Sequence, residues 1–459
     1  MASDRCLFIF RRDLRLTDNT ALNRALETGL EVLPVFILDP RQLEDHPYRS
    51  TSGLEFMFNS LRELDDELRK LGSRLYLFEG VAEEVVGRLM KGAGLLQVFF
   101  NRDYTPFARN RDRRIEQAVR GAGGETHQYG DALLHEPEEV RSGAGTPYTV
   151  FTPFRKRCAQ MEVRAPVALA RGRFVQGEVP GALEIEALRR IWPRENPSLR
   201  VRGGRREALA VLKRIGGFTR YKEERDLPAI DGTTGLSASN KFGCLSVREL
   251  YHGVRAVHGA EHTLLSELHW RDFFTHIAFH FPHVFKGAFR PEYDRVAWHE
   301  HPERLAAWQK GLTGFPIVDA GMRELATTGF MHNRVRMIVA SFLTKDLHIS
   351  WREGERWFAR NLVDYDPAVN NGNWQWASSS GCDAQPYFRI FNPWLQQTRF
   401  DPECEYIKRW VPELKALSPA RLHKLADDAA AIPGYPRPII DHAEEKLVTE
   451  ELYAEALGR

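Results

Sequence analysis

Apolar residues fall in short runs over the first 130 positions and in helical periods beyond about position 200. Cys6–Phe10, Val32–Leu38, Arg74–Phe78 and Leu96–Phe100 are short and rich in β-branched and aromatic residues, which predicts buried strands. Between them Thr20–Thr28, Ser52–Leu71 and Ala82–Gly92 alternate as amphipathic helices do. Strand and helix in series predict a doubly wound parallel sheet, with ligands expected at the carboxyl ends of its strands. From 131 to 200 Gly, Pro and Arg are frequent and no period holds, which predicts a connector. Helical signals then dominate: Arg205–Arg214, Val247–Val257, Glu261–Phe281, Pro302–Lys310, Val318–Thr327, Met331–Leu347 and Trp351–Asn361. The expected architecture is an α/β N-terminal domain over 1–130, a connector over 131–200 and an all-α C-terminal domain over 201–459.

Composition adds little to this. The 459 residues hold 64 basic and 62 acidic side chains, so net charge names no partner. Within residues 151–225, however, Lys and Arg strongly outnumber Asp and Glu; that stretch reads either as a solvated surface or as a nucleic-acid face. Five scattered cysteines without a C-x-x-C pair argue for a reducing compartment and against a disulfide framework or zinc ribbon. The start, Met1 to Cys6, lacks the long apolar stretch of a signal peptide, and no apolar run approaches membrane-spanning length. The expectation is a soluble cytoplasmic monomer. His276, His280 and His283 have ligand-like spacing but lack a completing Cys or carboxylate, so no metal is expected. Neither G-x-G-x-x-G nor a Walker loop occurs.

Five constellations carry candidate chemistry. Asn370-Asn371-Gly372-Asn373-Trp374-Gln375-Trp376 sets two indoles two residues apart beside several amides. On a helix they would point to different faces, one into the protein and one toward a pocket; two ordinary core aromatics would give the same pattern. Thr233-Thr234-Gly235-Leu236-Ser237 offers hydroxyls and backbone N–H groups that suit a phosphate, or equally a capped loop. Glu267, Trp270 and Arg271 share one helix face, as do Asn333, Arg336 and Met337, while Arg334 points elsewhere and suits a phosphate. Asp364 and Asp366 flank Tyr365 and could hold a cation such as Arg336.

Taken together these segments resemble the photolyase–cryptochrome family, specifically class I cyclobutane pyrimidine dimer photolyases. Phe10-Arg11-Arg12-Asp13-Leu14-Arg15-Leu16-x-Asp18-Asn19 is similar to that family's opening loop. So are Met331 to Met337, Trp351 to Arg356, Asn370 to Trp376 and Tyr387 to Pro393. The resemblance implies light-driven repair of dimer-containing DNA by a reduced FAD, with a blue-light signalling cryptochrome as the alternative. It implies FAD contacts from Tyr221, Thr233, Thr234, Gly235, Leu236, Ser237, Glu267, Arg271, Arg336, Asp364, Tyr365, Asp366 and Asn370. Asn370 would face the flavin N5, where plant cryptochromes carry Asp. Trp374, Trp351 and Trp298 would form an electron relay, with Trp374 proximal. Glu267, Trp270, Asn333, Met337 and Trp376 would face the lesion, and Arg225, Arg334 and Gln396 the DNA strand. Catalytic roles would fall to Glu267, Asn370 and the three relay tryptophans. Asn333 stands in place of a histidine typical of (6–4) photolyases. Phe330 and Asn373 depart from the Trp and Gly of many class I members. The α/β domain would hold a second, antenna chromophore if one is used, with Phe10–Arg15, Asp39 and Asn101–Asn110 as its walls; folate, deazaflavin, a second flavin and no antenna at all stay open.

Overall fold

A computed structural model of the protein describes residues 4–92, 95–192, 195–427 and 432–458. The terminal positions Met1 and Arg459 of the expected domains lie outside the described residues, as do 193–194 of the expected connector. The chain divides into two compact units. One comprises Met1–Glu195, Val201–Gly217 and Thr234–His280; the other comprises Asn196–Arg200, Phe218–Thr233 and Phe281–Arg459.

The first unit is built on a parallel sheet of β1 (Arg5–Phe10), β2 (Glu31–Leu38), β3 (Tyr76–Glu79), β4 (Gln97–Asn101), β5 (Glu125–Tyr129) and β6 (Arg173–Phe174). Its order is β3-β2-β1-β4-β5, with β6 beside the start of β2. The chain leaves β1 in one direction toward β2 and β3, and later occupies the other side with β4 and β5. The order therefore reverses between β1 and β4, which pair directly through Leu7↔Val98 and Phe8↔Phe99. Alternation along the strands sorts the side chains. Leu7 and Ile9 of β1 and Leu33, Val35 and Ile37 of β2 join one core with Val85, Val86 and Leu89 of helix Ala82–Gly92 and with Ile115 and Val119 of helix Pro106–Gly121. Helix Thr20–Glu27, capped by Asn19, packs on β1 and β4.

Four strands stand where their apolar runs predict them, within two residues at each end. Two elements carry no such signal. β5 reads Glu-Thr-His-Gln-Tyr at the sheet edge, and helix Pro106–Gly121 is dominated by charge. Residues 173–174, expected in the connector, add to the sheet, and Phe151–Cys158 forms a helix in that same stretch.

A buried polar network ties the opening loop to the rest of this unit. Arg15 and Arg248 both pair with Asp131, at 2.5 and 2.7 Å, and Arg248 also pairs with Asp18 at 2.8 Å. Burial alone would raise the Asp131 carboxyl, but the two guanidiniums hold it below its ordinary range. Asp13 and Asn19 are bridged by the Asn101 amide, at 2.5 and 2.8 Å. Much of the opening loop is thus structural, and buried ion pairs of this kind are costly to break one partner at a time.

Helix Thr263–His280 buries His269 and His276. Desolvation pulls their imidazoles down to about 4 and about 3. A histidine whose folded pKa is depressed contributes stability that is complete above the unfolded value and is lost as pH falls through the folded one. His276→Phe should therefore narrow its stability gap to wild type, or reverse it, as pH drops below about 6.5. Melting curves at pH 7.5 and pH 5 would check this; a gap independent of pH would contradict it.

From residue 201 onward the described residues contain no strand. The second unit is helical around a core that includes Trp308, Trp351, Trp374, Phe342 and Phe358. Helices Pro302–Lys310 and Trp351–Asn361 have the bounds their periods predict. The period over 331–347 resolves into helix Asn333–Ser341 followed by a π-turn at Phe342–Asp346. The architecture is the expected one, a doubly wound parallel sheet followed by a helical C-terminal region. Among the described residues no helix is long and apolar enough to cross a membrane, and no group of His, Cys, Asp or Glu could hold a metal.

Candidate functional site

The candidate residues fall on both compact units, so each set is described within its own. In the helical unit, helix Pro367–Ala377 begins at Asp366, whose carboxylate accepts the backbone N–H of Ala368 and Val369 at 3.0 and 3.2 Å. Asp366 is therefore a helix cap as well as a candidate ligand contact. One turn on, Asn370 is 8% exposed and its Nδ2 donates to the Glu355 carbonyl at 3.1 Å. That bond fixes the amide and leaves its Oδ1 on the opposite edge. Asn371 donates to Glu355 Oε1 at 2.9 Å, and burial pushes the Glu355 carboxyl up to about 7.

The two tryptophans of this helix separate as their spacing requires. Trp374 is fully buried, edge-on to Phe358 at 4.9 Å and to Trp308 at 6.3 Å. Trp376 is half-buried. A methyl built on Gly354 would overlap the benzo edge of the Trp374 indole, so helix Trp351–Asn361 carries glycine where the indole crosses it. Trp351 starts that helix, buried in the same core, and Trp298 is half-buried at the rim of that core, edge-on to Tyr453 at 6.1 Å.

Helix Asn333–Ser341 is capped by His332, whose Nδ1 accepts the Arg334 N–H at 3.2 Å. Asn333 is exposed and its amide reaches the Met337 sulfur at 3.9 Å, so the two share a face as predicted. Arg336 grips Asp364 through two hydrogen bonds, at 3.0 and 3.2 Å, and also donates to the Met331 carbonyl at 2.7 Å. A forked pair of this kind is among the stronger side-chain contacts. Tyr365 beside it is half-buried. Arg334 pairs with Asp226 at 2.7 Å and lies over Phe400 at 4.3 Å. Arg225 lies over the Tyr221 ring at 5.8 Å. Gln396 keeps a buried Oε1 without a hydrogen-bond partner. Thr233 is half-buried at the end of a segment of this unit.

In the sheet-bearing unit, Thr234 accepts the Leu236 N–H at 3.4 Å and Gly235 takes a left-handed φ of +64°, which favours glycine. Ser237 is exposed at the start of a short helix, and Asn240 within it keeps a buried Oδ1 without a hydrogen-bond partner. Glu267, Trp270 and Arg271 are all half-buried along helix Thr263–His280, whose Leu264, Leu268 and Asp272 are buried. Arg271 donates to Asp272 at 3.2 Å. Phe151 stacks flat on Trp270, 3.5 Å between centroids and 7° between planes. Sequence reasoning missed Phe151 because it sits in a stretch without a period. It missed Glu355 as the anchor of Asn370 because a backbone carbonyl carries no side-chain signature.

Because Arg336 is the sole described cation paired with Asp364, Arg336→Ala leaves a nearly buried carboxylate without its partner. Loss of one member of such a pair costs about 3–5 kcal/mol where it is fully buried, and less here because Arg336 is partly exposed. The expected result is a lower melting temperature and reduced flavin content on purification, read by absorbance; unchanged values for both would refute the role.

Comparison with known proteins identifies the arrangement. Residues 6–170 match the DNA photolyase family and residues 264–455 match the FAD binding domain of DNA photolyase. The deoxyribodipyrimidine photo-lyase of Vibrio cholerae is 39% identical over 98% of this chain and 99% of its own. That of Escherichia coli is 38% identical over 97% and 98%. Among solved structures, the archaeal photolyase from Sulfolobus tokodaii with two FAD molecules is 44% identical, with TM-score 0.90 over 98% of this chain and 100% of that one. A class III photolyase from Agrobacterium tumefaciens is 34% identical with TM-score 0.92 over 100% and 99%. A Synechocystis cryptochrome is 29% identical with TM-score 0.90 over 98% and 99%. With relatives this similar along nearly its whole length, the chain belongs to the DNA photolyase family and carries that family's FAD-binding domain.

Proposed function

We propose that the protein is a light-driven DNA repair enzyme that splits cyclobutane pyrimidine dimers by electron transfer. The residues present fit FAD. The Arg336–Asp364 pair and the oriented Asn370 amide suit the polar edge of an isoalloxazine. The hydroxyl-bearing turn around Gly235, with the unpartnered Asn240 Oδ1 nearby in sequence, suits a dinucleotide's phosphates and ribose. When bound and reduced, FAD supplies the light-excited electron.

The protein's own residues do the rest. Helix Pro367–Ala377 is the observation that carries the reading, since one short element holds the oriented amide, a buried indole and a half-buried one. A dimer must leave the duplex to be reached, which costs a few kcal/mol and least for a damaged pair. Indole surfaces at Trp270 and Trp376 recover part of that by stacking, about 1–3 kcal/mol per base. Phe151 and Phe274 both stack on Trp270 and Phe273 meets it edge-on, so that indole is held rigid. Arg225 and Arg334 would meet backbone phosphates, and Gln396 has an acceptor to spend. Glu267 would hydrogen-bond the dimer. Asn333, its amide 3.9 Å from the Met337 sulfur, stands in place of a histidine typical of (6–4) photolyases, which favours a cyclobutane dimer. Trp374, Trp351 and Trp298 would re-reduce an oxidised cofactor.

The sheet-bearing unit is read as the seat of a second chromophore. The 44% identity to the photolyase solved with two FAD molecules supports this.

The test is direct. Purified, reduced protein mixed with thymine-dimer DNA should restore intact thymines under near-UV or blue light and leave a defined (6–4) substrate unchanged. Flavin binding without any restoration would favour the signalling reading instead.

A further inference from the structure

The carboxyl ends of β1 and β4 meet at the point where the strand order reverses, the usual place for a ligand in an open parallel sheet. Most polar groups there are already spent. Asp13 and Asn101 bond each other, Arg15 holds Asp131, and Asp39 holds Arg41 and caps the following turn. Arg12 pairs with Asp103 at 3.2 Å.

Arg11, the residue after β1, is different. Its guanidinium lies on the Phe100 ring of β4 at 3.9 Å. Asp112 Oδ1 approaches it at 2.8 Å, and the same oxygen takes Arg111 Nε at 3.0 Å. Two buried guanidiniums thus divide one carboxylate oxygen. Arg11 Nη1 takes that contact with Asp112, while Nη2 of Arg11 and Nη2 of Arg111 are buried without a hydrogen bond. Burial, with Arg111 beside it, pulls the Arg11 guanidinium down to about 10. Guanidiniums have donors only, so two of them cannot satisfy each other. A buried cluster with more cation than anion and several idle donors is complete only when an acceptor joins it.

We infer that Arg11 and Arg111 form an anion-recognising end of the second-chromophore site, and that the chromophore taken there presents an anionic or strongly accepting oxygen group to them. Two sources offer that chemistry: a phosphate or carboxylate on the chromophore's tail, or the imide edge of a flavin-type ring. Asp112 then acts as a brake, competing with the ligand for the same donors. This inference rests on the second-chromophore reading, and its test measures binding rather than repair.

Holoprotein that retains its catalytic FAD is titrated with FMN, riboflavin and a reduced folate, following ligand fluorescence. Arg11→Gln and Arg111→Gln should each weaken binding by roughly tenfold or more, the loss of a hydrogen bond to a charged group. Asp112→Asn should tighten it, because it frees both guanidiniums. Equal losses for FMN and riboflavin assign the contact to the ring. A loss for FMN alone assigns it to phosphate, and a loss for folate alone to its carboxylates. Far-UV circular dichroism and FAD content show whether each variant is folded. The inference is overturned if none of the three ligands binds wild type, if folded Arg variants bind as wild type does, or if Asp112→Asn weakens binding as much as they do. Dimer repair without added ligand would leave the repair reading standing through any of these outcomes.

Discussion

Trp351→Phe will leave the protein unable to recover reduced flavin under light, while dimer repair by enzyme reduced beforehand with dithionite stays close to wild type. A relay needs an oxidisable ring at every step, and phenyl is far harder to oxidise than indole. Trp351 is 3% exposed and sits in the core that holds Trp374, with Trp298 packed at its edge. The substitution keeps an aromatic ring and so most of the packing; large-to-smaller changes of this kind cost stability rather than fold. Trp308 supplies the control. It also touches Trp374 at 6.3 Å, but it is wholly buried and its indole N–H is held by the Val339 carbonyl at 3.1 Å. An oxidised Trp308 has neither solvent nor a base to release its proton to, so Trp308→Phe should photoreduce almost normally. Photoreduction at the wild-type rate in Trp351→Phe, or its loss in Trp308→Phe alone, would move the route from Trp351 to Trp308.

The placement of these residues was legible in sequence to the extent that local spacing carries it. Two residues apart on a helix means different surroundings, and Trp374 and Trp376 differ in burial as that rule demands. Asn333 with Met337 and the Arg336–Asp364 pair follow from helical period and charge in the same way. β1, β2, β4 and the edge strand β3 were legible because cover on both faces makes an unbroken apolar run. β5 was not, since an edge strand half in solvent can be polar throughout, and Glu125 to Tyr129 is. Helix Pro106–Gly121 was hidden by the run Arg109 to Arg114, where Arg111 and Asp112 are buried although charged. Contacts brought in by distant segments left no trace: Phe151 under Trp270, the Glu355 carbonyl behind Asn370, and the Asp112 oxygen shared by two arginines. Each depends on chain closure, which no local window contains.

Gly354 makes the strongest structural prediction. A glycine inside helix Trp351–Asn361 costs about 1 kcal/mol against alanine on propensity alone. Gly354→Ala on an unobstructed helix would therefore stabilise. Here it should destabilise, because the new methyl would occupy the space of the Trp374 benzo edge. Overpacking a filled core costs about 1–3 kcal/mol, enough to reverse the propensity gain. The displaced indole should also slow photoreduction, although Trp374 itself is unchanged. Trp374→Phe removes the very atoms that collide. The pair Gly354→Ala with Trp374→Phe should thus be more stable than the sum of the single effects, by a coupling of about 0.5–3 kcal/mol for residues in contact. Stability would return in the double variant and photoreduction would not. Denaturant midpoints and flavin absorbance under light separate the two quantities. Additive single effects would mean that Gly354 is set by something other than the indole, and would remove the physical reason for the glycine in this motif.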